Sequence, residues 1–175
     1  MIHFRVDSIG RSVLLLILFI GVHTGMFAQV TATASVSATI VTPLGISKEI
    51  NMDFGNVAAG ATPGSVVLTP AGTRLRTGGV ALPSVTGTVT AASFVITGAP
   101  NFAYSITLPN DPLTLTNGID NMTIGLFASN PPTTGMLGNN GSQTLNVGAT
   151  LNVAALQGVG DYTSVNPFEV TVNYN

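Results

Sequence analysis

The chain has no cysteine and no tryptophan, and its 2 histidines are His3 and His23. Without cysteine there are no disulfides, no thiolate nucleophile and no thiol redox chemistry. Without histidine past residue 28, the Ser-His-Asp and Cys-His arrangements are excluded there. Nearly all zinc and copper sites go with them, as does the usual proton carrier at neutral pH. Charge is scarce as well. Past residue 28 the ionised side chains are Lys48, Arg74 and Arg76 against Glu49, Asp53, Asp111, Asp120, Asp161 and Glu169, a net of 3 − 6 = −3. Three dispersed cations make neither a phosphate-binding stripe nor a polybasic membrane patch, so nucleic acid is not an expected partner. Glycosidase-type chemistry would need two of the carboxylates in a setting that raises a pKa or stacks a sugar. The only tyrosines are Tyr104, Tyr162 and Tyr174, and none accompanies such a pair in sequence. The expectation is a non-catalytic protein with no metal and no cofactor.

Residues 1–28 read as a secretory signal peptide. Arg5 and Arg11 supply the positive start, Ser12 to Val22 the apolar stretch, and Ala28 a small residue before the cut. That stretch is too short for a bilayer-spanning helix, which needs about 20 apolar residues. The reading is export to the periplasm, cell surface or exterior, with no stable membrane insertion. Removal of the signal leaves 175 − 28 = 147 residues, enough for one domain with a sizeable core.

What is abundant is Val, Ile, Leu, Thr, Ser and Asn, punctuated by 20 glycines and 10 prolines. No segment repeats apolar residues at helical spacing. Strands are expected near residues 30–41, 46–54, 65–69, 74–81, 93–97, 103–108, 122–128, 142–147, 150–155 and 168–174. Between them lie turn sequences such as "TPAGT", "LPNDP" and "GNNGS". Many short strands at this spacing predict an all-β fold, an immunoglobulin-like antiparallel β-sandwich spanning residues 42–175. Alternation assigns Phe94, Ile96, Tyr104, Ile106, Leu108, Ile124, Leu126, Phe168, Val170 and Val172 to the core. Asn110, Asp111, Asp120 and Asn121 are oxygen-rich, as calcium loops are, but beside Pro112 and Gly118 they read as turn residues.

The segment 29–41, "QVTATASVSATIV", alternates without a break. Val30, Ala32, Ala34, Val36, Ala38 and Ile40 share one face of an extended chain, and hydroxyl side chains share the other.

Four stretches together resemble a bacterial family of secreted domains of unknown function. They are "INMDFGNVAAG" (50–60), "FVITGAPNFAYSITLP" (94–109), "LNVGATLNV" (145–153) and "GDYTSVNPFEVTVNYN" (160–175). Such domains are similar in turn to chaperone–usher pilins and to spore-coat-U-like proteins. That resemblance implies an immunoglobulin-like domain whose terminal strand ends in a penultimate tyrosine. Phe168, Val170, Val172 and Tyr174 alternate in this way, and would meet a periplasmic chaperone or form a groove edge. It also implies an N-terminal extension that completes a neighbouring subunit, giving self-association into a fibre or coat. The typical pilin disulfide is missing. Two readings of residues 29–41 stay open: a donor strand for a neighbour, or a strand of a self-contained monomeric binding module, paired beside residues 168–174. Alternation alone serves both.

Overall fold

The computed structural model describes residues 28–175. Among these residues the protein is all-β, with every strand pairing antiparallel and no helix. The strands are β1 (Gly45–Ile50), β2 (Ala58–Leu68), β3 (Arg74–Ala81), β4 (Ala92–Thr97), β5 (Ala103–Thr107), β6 (Leu113–Thr116), β7 (Asn121–Asn130), β8 (Thr134–Met136), β9 (Ser142–Val153), β10 (Thr163–Ser164) and β11 (Thr171–Tyr174). Residues 40–175 form one compact unit that holds all of them. Residues 1–27, and with them almost all of the signal-peptide reading, lie outside the described residues.

The long strand β9 is the spine. Its first half pairs with β4, Leu145 opposite Phe94, and its second half pairs with β2, Leu151 opposite Val66. The other edge of β9 carries β7, followed by β6 and β10. β1 closes the opposite side of this sheet on β4, and β3 pairs with β2 alone among the described strands. The smaller sheet runs β11-β5-β8.

Strict alternation along β9 drives both cores. Leu145 and Val147 enter a cluster with Ala92, Ile96, Tyr104, Ile106 and Leu137. Ala149, Leu151 and Val153 enter a second cluster with Phe54, Val66, Leu68, Val80 and Ile124. The sequence reading split this strand at Gly148. The glycine is instead the place where β2 crosses closely: a Cβ there would collide with the Leu68 carbonyl oxygen. A second correction concerns Leu126, expected in the core but 82 % exposed at φ 50. A bulge between Gly125 and Ala128 shifts the register of β7, and Phe127 turns inward in its place.

Tyr104 is fully buried, and its hydroxyl donates to Gln143 Oε1 at 2.7 Å. Burial raises its phenol above the ordinary value of 10.0. The unfolded chain therefore gives up this proton first as pH rises. The stability linked to Tyr104 is complete below about pH 10 and is lost as pH climbs through 10 towards the folded value. Denaturant midpoints measured from pH 8 to 11 are expected to fall in that window, less steeply in Tyr104→Phe.

The largest departure lies at the N-terminal end. Residues 28–44 carry no strand, although 30–41 alternates as well as any segment of the chain. Alternation supplies a sidedness, but a strand also needs a ladder partner.

Candidate strand-docking seam

Among the described residues, strand β11 pairs with β5 only, and β1 pairs with β4 only. Each is therefore an edge, with a row of backbone N–H and C=O groups free on one side. Both edges border the same core. Residues opposite each other in an antiparallel pair lie on the same face. On β1, Ile46 faces Ile96, so its side chain points to the core side. Yet Ile96 is 0 % exposed while Ile46 is 38 % exposed. On β11, Val172 pairs with the buried Ile106 and Tyr174 with the buried Tyr104, and both remain only half-buried. Leu44, Phe94, Phe168 and Val170 pack half-buried on the same cluster. The result is a seam of partly covered apolar side chains bounded by two strand edges. Phe94 and Phe168 meet edge-on in its wall with ring centroids 6.0 Å apart.

One end of the seam is locked by Tyr174. Its hydroxyl accepts from Ala99 N–H at 2.7 Å and donates to the Thr42 carbonyl at 2.8 Å. Gly98 makes room, since a Cβ there would collide with that hydroxyl. Tyr174 thus ties Thr42, at the start of the compact unit, to the last strand. At the other end Leu108, Pro109, Asp111, Pro167 and Phe168 line an open depression of about 390 Å³.

The sequence-predicted site residues fall into two sets. Phe168, Val170, Val172 and Tyr174 are brought together on the seam as alternation required, although only the last two lie within the ladder. Val30, Ala32, Ala34, Val36, Ala38 and Ile40 are all exposed. The figures for Val36 and Ile40 are 96 % and 98 %. Leu44, Ile46 and Lys48 also belong to the seam, as does Phe94, which alternation assigns to the core with no edge role. Their signal was visible only as strand alternation, because which strand forms an edge is a property of pairing.

Asn117, rather than the suspected aspartates, organises the β6–β7 turn. Its Oδ1 accepts from the N–H groups of Ile119 and Asp120 at 2.9 and 2.7 Å. A second depression lies over β2, β3, β7 and β9, lined by Ser65, Thr77, Asn121, Thr123, Asn152 and Gln157 and by no ionisable side chain.

A family of domains of unknown function, DUF4402, matches residues 44–174. The chain belongs to the DUF4402 family. The DUF4402 match takes in every strand from β1 to β11 and both walls of the seam, and it begins just after the exposed alternating segment. No curated protein and no solved structure matches the chain.

Proposed function

We propose that this DUF4402 protein is an exported, non-catalytic structural subunit that assembles into a fibre or coat by donating residues 30–40 to the seam of the next copy. The fold then reads as an immunoglobulin-like sandwich lacking one edge strand of its smaller sheet, which β11 would otherwise carry. The observation that carries the reading is a pair of complementary incompletenesses. The seam has half-buried apolar side chains and edge backbone groups with nothing over them among the described residues. The alternating segment has apolar side chains and backbone groups with no ladder. Strand addition satisfies both: main-chain hydrogen bonds hold the strand, and alternate side chains fit the seam. Before assembly a periplasmic chaperone would cover the same edge.

Chain direction decides what such an assembly becomes. The segment leaves its own domain at Thr42, beside the Tyr174 end of β11. Docked antiparallel to β11, it places Ile40 near the Phe168 end of the acceptor and Val30 near the Tyr174 end. The donor body then lies beyond the Phe168 end, its own seam is free, and the contact repeats without closing. Docked parallel to β11, Ile40 sits at the Tyr174 end, and the chain closes on itself or on one partner. Residues 40–44 make no turn, and Pro43 holds Thr42 extended, which favours departure over folding back. This supports the open, antiparallel arrangement.

Comparison of unboiled and boiled samples of the mature protein on a denaturing gel tests the reading. A ladder that collapses to one band on boiling is expected. A single monomer band in both lanes contradicts it and favours a self-contained binding module.

A further inference from the structure

Lys48 is out of place on the seam. It pairs with Phe94 across the β1–β4 ladder, two residues on from Ile46, so its side chain springs from the core-facing side of the free edge. The other core-facing side chains along the two edges, Leu44, Ile46, Phe168, Val170, Val172 and Tyr174, are apolar or, in Tyr174, already hydrogen-bonded. Lys48 is exposed, and its ammonium donates to Asn51 Oδ1 at 2.8 Å, at the end of the seam remote from Tyr174. An inward-pointing charge on an edge strand is a device against indiscriminate strand pairing, because a covering strand must desolvate it.

The segment 30–40 carries no charge, and three of its six apolar positions are alanines. In the antiparallel arrangement the C-terminal part of the segment reaches the Lys48 end, and Ala38 there, followed by Ile40, leaves room for the four-carbon stem to run out between strands and keep the ammonium in water. A leucine at position 38 would press the ammonium into the seam or hold the strand away. Resting on the strand-donation reading, we propose that Lys48 is a specificity-determining residue, which makes the seam accept a small-residue strand such as Ala32–Ala38 of a second copy and refuse bulky apolar strands.

The test uses the full mature chain carrying Val36→Asp, so that its own segment does not compete, with and without Lys48→Met. Methionine keeps an unbranched stem at an exposed position and removes the charge. The probes are two synthetic peptides, residues 29–41 and the same peptide with leucine at positions 32, 34 and 38. With Lys48 present, the leucine peptide is expected to bind roughly 10- to 100-fold more weakly than the alanine peptide, the scale of a poorly solvated polar group. With Lys48→Met the difference is expected to shrink to a few-fold or reverse. Equal discrimination in both backgrounds overturns the role of Lys48 and leaves strand donation standing. Binding of neither peptide in either background overturns strand donation, and the role of Lys48 with it.

Discussion

Val36→Asp and Ile40→Asp are each expected to abolish self-association while leaving the melting temperature of the unassembled chain unchanged. Both side chains are almost fully exposed, at 96 % and 98 %, so a carboxylate costs the isolated chain little. In the docked strand both positions lie on the apolar face. An unpaired charge there costs several kcal/mol, which weakens association by more than about 100-fold. Ser37→Asp lies on the opposite face and is expected to assemble normally. Size-exclusion chromatography and thermal melts of the three variants separate the outcomes. A drop of several degrees in the melting temperature of unassembled Val36→Asp would instead mean that the segment completes its own domain.

Leu145→Ala and Val172→Ala are expected to act on opposite states. Leu145 is fully buried where β4 and β9 meet the smaller sheet. Its truncation removes a large side chain from a packed cluster and is expected to cost about 2–5 kcal/mol in assembled and unassembled protein alike. Val172 faces the same cluster but is only half-buried at the uncovered edge. Its loss is expected to cost the unassembled chain about 1 kcal/mol or less, in proportion to the apolar area it covers. In the assembled state the same valine would lie beneath a docked strand, so its truncation should weaken the assembly further. Denaturant unfolding of both forms measures the difference. Equal effects of Val172→Ala in both would mean that nothing covers it on assembly.

The legible part of the fold was what period-2 alternation encodes: strand type, the inward faces of β4 and β5, and the inward run Phe168, Val170 and Val172. Three things lay beyond it. The bulge that exposes Leu126 and turns Phe127 inward leaves no mark on composition, because either hydrophobe could have faced inward. Gly148 looked like punctuation, but it is an approach point between β9 and β2 that only tertiary pairing reveals. The short strands β6, β8 and β10 sit among Pro, Gly and Asn, where turn signals outweigh a few Thr and Leu residues. At the candidate site, alternation turned Phe168, Val170 and Val172 inward, and the pilin resemblance supplied Tyr174 and the edge role. The half of the seam on β1 went unnoticed, because an inward lysine such as Lys48 breaks the apolar pattern that alternation looks for.

Disulfide trapping of the docked strand tests strand donation most directly, and the absence of native cysteine makes any crosslink unambiguous. Thr33 and Thr39 lie on the hydroxyl face of the segment, and Asn173 lies on the outer side of β11. Thr33→Cys with Asn173→Cys should give an oxidised ladder of multimers, since the antiparallel strand brings its N-terminal part to the Tyr174 end. Thr39→Cys with Asn173→Cys should give little. Crosslinked monomers or closed dimers from the second pair would mean that the strand folds back in the opposite polarity, and no crosslink from either would mean that the seam takes no strand from this segment.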